Sequence, residues 1–177
     1  MSCLKVYTGI GSQETPQNIL KTFTKIAVEL SKREYTLRSG GAEGADKSFE
    51  KGAKEKEIFI PWKGFENSTS SLVGASAKAI KIASKIHPAW DKCSKWAKVM
   101  HGRNIYQVLG LDLKSPSEFV ICWTPKGEIK GGTATAIKLA LEHNIPVYNF
   151  GDEDNIKEFN QKVMEINIEA NEYDYTF

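Results

Sequence analysis

Short apolar stretches of strand length alternate along this chain with longer stretches whose apolar residues recur every three or four positions. Leu4-Lys5-Val6-Tyr7-Thr8-Gly9 reads as a first strand. Beyond Gly9-Ile10-Gly11-Ser12 the period lengthens. Ile19, Leu20, Phe23, Ile26, Ala27 and Leu30 predict an amphipathic helix over 16–32, with Pro16 in its first turn. Tyr35-Thr36-Leu37-Arg38-Ser39 reads as a second strand. The helix that follows, from Ala45 to Lys54, carries Ala45, Phe49 and Ala53 on one face. Glu57-Ile58-Phe59-Ile60 is a third strand, stopped by Pro61.

A polar loop over 62–71 leads to two helical stretches, 72–86 and 91–109, parted by His87-Pro88. Ser117 to Trp123 contains a continuous apolar run, as in a strand buried on both faces. A loop over 124–131, a helix over 133–143, a fifth strand at Ile145 to Phe150 and a last helix over 153–166 complete the pattern, before an acidic-aromatic tail at 169–177. Regular alternation of strand and helix predicts an α/β domain with a mostly parallel sheet flanked by helices. In such sheets ligands bind beyond the carboxyl ends of the strands, near a topological switch point.

Length and composition fit one globular domain over 1–177. With 41% hydrophobic and 26% charged residues, the chain carries enough apolar matter for a core and too much for disorder. No apolar run approaches the ~20 residues of a membrane span, and the N-terminus enters a strand without a signal peptide. Cys3, Cys93 and Cys122 are odd in number and widely spaced, which points to reduced thiols and a cytoplasmic location. The formal net charge of +2 hides an asymmetry. Lys78, Lys81, Lys85, Lys92, Lys95, Lys98 and Arg103 lie in the basic helical segment 72–110, whereas the C-terminal part from Gly151 is acidic. A basic segment of this kind either faces an anionic ligand or is a solvated helix surface.

Three strand-to-helix turns are rich in glycine. The first presents Gly9, Gly11 and Ser12; the second Ser39, Gly40, Gly41, Ala42, Gly44 and Asp46; the third Gly131, Gly132, Thr133 and Thr135. Glycine admits tight turns and close approach of a ligand to main-chain amides, and a following helix aims its unpaired N–H groups at the turn. Together these features favour anions. Three such turns at one sheet edge predict a phosphate or nucleotide site. The Walker pattern and an intact GxGxxG are both absent, which weighs against those two classes.

The run Ser39-Gly40-Gly41-Ala42-Glu43-Gly44-Ala45-Asp46, followed by Gly131-Gly132-Thr133-Ala134-Thr135, resembles the paired glycine motifs of the SLOG superfamily over residues 4–150. The resemblance implies a single Rossmann-like domain that binds nucleotides. Two branches are relevant. The LOG phosphoribohydrolases carry M-x-x-R-K and PGGxGTxxE motifs. Here Met100 and Arg103 are kept, Asn104 replaces the lysine, and Lys138 falls where the catalytic glutamate belongs. Cleavage of an N-glycosidic bond needs a carboxylate, so the resemblance implies a retained pocket and lost hydrolysis. The DNA-processing protein A family, to which the second turn is most similar, binds single-stranded DNA. Its implied counterpart here is a bare core whose basic helices carry Trp90 and Trp96 for base stacking.

Flanking residues extend the expected ligand set. Arg103 and Asn104 are placed to grip phosphate or ribose, Asp46 to meet a ribose hydroxyl, and Trp62, Lys63 and Trp123 to line the same sheet edge. His87, Asp91 and Cys93 fall short of a metal site, because Pro88 breaks any helical face and a fourth ligand is lacking. Asp91 reads better as a helix cap, and Cys93 has no predictable histidine partner. The expectation is therefore a protein that senses or sequesters a phosphate-bearing nucleotide, with no required cofactor and no metal. A compact phage-type member acting in a host cytoplasm, and assembly into homo-oligomers, fit the same resemblance. The alternatives are a nucleotide N-glycosidic hydrolase, using Glu43, Asp46 or Asp91, and a single-stranded DNA-binding module.

Overall fold

Successive side chains of a strand point to opposite faces, and the chain exploits this by building a different apolar layer on each side of one sheet. The computed structural model describes residues 5–173, with side chains described as far as Ile166. Cys3 and residues 174–177 of the acidic tail lie outside them. Strands β1 (Val6–Gly11), β2 (Thr36–Ser39), β3 (Lys56–Ile58), β4 (Phe119–Trp123) and β5 (Val147–Asn149) pair in the order β3-β2-β1-β4-β5. Every pairing is parallel, so the sheet is more regular than the mostly parallel one expected. The helices are α1 (Gln17–Lys32), α2 (Ala45–Gly52), α3 (Ala77–Ile86), α4 (Lys95–Leu109), α5 (Ala134–Glu142) and α6 (Glu153–Tyr173). The chain winds outward from β1 to β3, then returns through α3 and α4 to lay β4 against the other side of β1. The switch point therefore falls between the carboxyl ends of β1 and β4.

On one face Tyr7, Leu37, Phe119 and Ile121 pack against α1, α2 and α6. On the other, Ile10, Val120 and Cys122 pack against α3, α4 and α5. The first layer is aromatic. Phe23 stacks on Phe49 with centroids 4.3 Å apart and meets Phe150 edge-on at 5.3 Å. Tyr7 lies among Tyr35, Phe49 and Phe119, fully buried, and its hydroxyl finds no partner among the described residues. Burial accordingly pushes its pKa up. Tyr7→Phe removes a polar atom that the fold desolvates without return. It is expected to stabilise the chain by about 1–2 kcal/mol, read as a higher urea midpoint at unchanged slope. A lower midpoint would mean that the hydroxyl has a partner.

Strands β3, β4 and β5 are shorter than expected, and three helix boundaries differ more. Residues 72–76 are not helical: Ile60 bridges to Val73, Gly74 takes a positive φ of 83°, and the helix waits for Ser76, whose Oγ accepts from the Ala79 amide at 3.1 Å. The next helix starts at Lys95 rather than 91, and its cap is Ser94, not Asp91, which lies in a short 3-10 turn. The last helix runs past 166 to Tyr173, taking in the first part of the expected tail. Among the described residues no helix is long and apolar enough to cross a membrane.

Candidate functional site at the switch point

A cleft of about 540 Å³ opens where β1 and β4 diverge. All three glycine-rich turns reach it: Gly11 and Ser12 from the first, Ala42 and Asp46 from the second, Gly131 to Thr133 from the third. Helix α4 supplies the opposite wall with Met100, His101, Arg103 and Asn104.

The three turns are not equivalent. Asp46, on the first turn of α2, points its carboxylate back into the loops. Its Oδ1 accepts from the Gly11 amide at 3.1 Å, and its Oδ2 accepts from the amides of Gly40 at 3.1 Å and Ala42 at 3.5 Å. The side chain thus occupies the amides by which the first two turns were expected to hold phosphate. Asp46 is 4% exposed. Burial raises its pKa to about 6, against the pull of Arg103 and of the three amides.

Arg103 is the complementary buried group. Its Nη1 donates to the carbonyls of Gly40 at 2.8 Å and Phe59 at 3.3 Å, and its guanidinium lies 5.5 Å from the Phe65 ring centre. With the Gln107 amide oxygen turned toward them, Arg103 Nη1 and the Gly40 amide both donate to it, at 3.0 and 3.1 Å. Burial lowers the Arg103 pKa while Asp46 raises it. The expected phosphate fork is thus also the clamp that ties α4 to the ends of β2 and β3.

The third turn remains open. Gly131 takes a φ of 73°, nothing lies within 4 Å of a side chain built at Gly131 or Gly132, and Thr133 starts α5 without a side-chain cap. Asn104 Nδ2 donates to the Gly132 carbonyl at 2.8 Å, which fixes the loop from outside the amide side. Lys130 lines the cleft beside it.

Several residues expected at the ligand serve packing. Gly9 faces the Phe49 ring, where an added Cβ would sit 2.6 Å away, and Gly11 leaves room for Ala45 at the same distance. Ser39 is buried and donates to the Gly9 carbonyl at 2.6 Å. Gly41 and Gly44 supply positive φ angles of 66° and 90° to the second turn. Thr135 is buried against His101, its Oγ1 2.9 Å from Nδ1. Trp123 is partly buried and packs against the core, and Trp62 meets the exposed ring of Trp96 edge-on at 5.6 Å, with Lys63 exposed beside it.

Sequence reasoning missed His101, four residues after Ala97 on α4. The fold brings it against His87, ring centres 4.4 Å apart, and both lie near Cys93. No local signal marks it, because its partners His87 and Cys93 come from the preceding loop and Thr135 from α5. Burial, His87 and Arg103 lower the His101 pKa to about 4. Cys122 is buried in β4, and burial pushes its thiol up.

The fold and site together define a Rossmann-like α/β protein with a glycine-lined cleft at the switch point. No protein-family model and no curated protein matches the chain. Among solved structures, DNA processing protein A from Helicobacter pylori, described for its single-stranded DNA binding mode, is similar with a TM-score of 0.56 and 20% identity. The match covers 97% of this chain and 82% of that one. The likeness is one of fold.

Proposed function

We propose that this chain is a SLOG-type module that binds single-stranded DNA along the mouth of the cleft and the first turns of α4. The observation that carries the reading is Trp96, 60% exposed and braced edge-on by Trp62, with exposed lysines next to both rings in sequence, Lys63 after Trp62 and Lys92 and Lys95 before Trp96. Large apolar rings are costly to leave in water, and a braced ring among cations offers a stacking platform with phosphate partners. The open amides at Gly131–Thr133 offer an anion site one wall away, where Lys130 would exchange its ion pair with Glu128 for a phosphate. The DNA-binding description of the Helicobacter pylori protein supports the same reading. Anisotropy of a labelled oligothymidylate is expected to report binding that weakens steeply with salt. Trp96→Ala should weaken it about 5- to 150-fold, the range of one lost stacking contact. Glu in place of Lys78, Lys81, Lys85, Lys92 and Lys95 together should abolish it. No oligonucleotide binding at low salt would sink the proposal.

The cleft itself favours a second reading, sequestration of a free phosphate-bearing nucleotide. Its 540 Å³ falls in the range of small-molecule pockets. Mass spectrometry of small molecules released from the purified, denatured chain tests it, and a nucleotide found without oligonucleotide binding would transfer the function to this reading. Hydrolysis has less support. Of Glu43, Asp46 and Asp91 only Asp46 lines the cleft, and backbone amides hold both its oxygens. Lys138 stands half-buried on α5.

A further inference from the structure

The loop between α3 and α4 brings together three side chains that no part of the binding proposal uses. His87 ends α3, Cys93 follows the short turn at Trp90–Lys92, and His101 lies two turns into α4. One ligating atom of each lies within 4.8 Å of the other two. Cys93 Sγ stands 3.7 Å from His87 Nδ1. A tetrahedral ion with bonds of ~2.3 Å to sulfur and ~2.1 Å to nitrogen separates its sulfur and nitrogen ligands by about 3.6 Å. The cysteine and first histidine are therefore already at coordination spacing.

His101 is oriented for the same task. The Thr135 hydroxyl engages its Nδ1 at 2.9 Å, which leaves Nε2 for a ligand bond. A hydrogen bond donated by the distal ring N–H, here Nδ1–H to the Thr135 Oγ1, is the usual outer-shell support of a metal-binding histidine. Trp90 closes the cluster on one side, 6.2 Å from His87 and 6.4 Å from His101. We propose that His87 Nδ1, Cys93 Sγ and His101 Nε2 form a site for a zinc-class divalent ion, with a fourth position left to water or another ligand. A donor set of one thiolate and two imidazoles selects zinc and its congeners over magnesium or calcium. On binding, the Cys93 thiol proton is released and the Ala89 amide gives up its 3.2 Å bond to His87 Nδ1 for water. The ion staples α3 to α4, and through His101, which also lines the cleft, it sets a positive charge beside the third glycine turn.

The test is titration of the metal-free, reduced full-length chain with cobalt(II), which reports thiolate ligation by a near-ultraviolet charge-transfer band and tetrahedral geometry by its visible bands. One equivalent is expected, displaced by zinc. The charge-transfer band should vanish in Cys93→Ser and persist in Cys3→Ser. His87→Asn should bind at least tenfold more weakly, and Thr135→Val about 10- to 100-fold more weakly. Far-ultraviolet dichroism of each metal-free variant separates lost binding from lost folding. Zinc should raise the melting temperature of the native chain and not that of Cys93→Ser. A charge-transfer band that survives in Cys93→Ser, or no cobalt binding at micromolar metal, overturns the assignment.

Discussion

An Arg103→Met chain is expected to lose about 3–5 kcal/mol of folding stability at neutral pH and clearly less at pH 5. The substitution keeps the length and apolar stem of the side chain and removes its charge. Two carbonyls, at Gly40 and Phe59, lose their donor, and the Asp46 carboxylate loses the buried cation that holds its pKa down. The pH dependence follows from Asp46. Burial raises its folded pKa from the ordinary 3.8 to about 6, while Arg103 holds it down. For a carboxyl raised on folding, stability is fully present below the unfolded pKa and is lost as pH climbs through the folded one. In the native chain that loss is complete a little above pH 6. Without Arg103 the folded pKa climbs further, so the variant goes on losing stability where the native chain has levelled off. At pH 5 Asp46 is protonated in both, and the penalty shrinks to lost hydrogen bonds and packing. Urea unfolding at pH 5 and pH 7.5 measures the difference. A penalty equal at both values would mean that Arg103 acts through the carbonyls alone.

Strand and helix order was legible because the hydrophobic period dominates the local pattern of this chain. Phe119, Val120, Ile121 and Cys122 read as a doubly buried strand and are one. The pattern misled where a polar side chain is buried or an apolar one is not helical. Arg38 in β2 is 3% exposed, satisfied by Glu57, its register partner on β3, and by the Ser115 carbonyl before β4, partners that no local window reports. Leu72 and Val73 look like the start of a helix but complete the β3 edge through the bridge to Ile60. At the site, glycine content correctly marked three turns at one sheet edge, yet it could not say which amides stay free. That depends on where Asp46 points, a tertiary fact. The same holds for His101, whose partners lie on the preceding loop and on α5.

The second large effect separates glycines that make room for the protein from those that make room for a ligand. Gly40→Ala is expected to destabilise the chain by about 3 kcal/mol or more. An added Cβ would sit 1.6 Å from Arg103 Nη1 and 2.2 Å from the Gln107 amide. The guanidinium cannot yield cheaply, since it is buried and already bonded to the Gly40 and Phe59 carbonyls. Relief requires breaking charge-assisted bonds or shifting α4, which carries one wall of the cleft. Gly132→Ala is the contrasting substitution. Nothing lies within 4 Å of its new methyl group and its φ is not positive, so stability should stay within about 0.5 kcal/mol of the native chain. Any ligand that approaches the third-turn amides will still meet that methyl group. Thermal unfolding of both variants, with oligonucleotide and nucleotide binding measured on Gly132→Ala, distinguishes the roles. A stable Gly40→Ala chain would mean that Arg103 is free to move, and hence available to grip a phosphate as the sequence motif implies. A folded Gly132→Ala chain that binds as well as the native one would move the anion site away from the third turn.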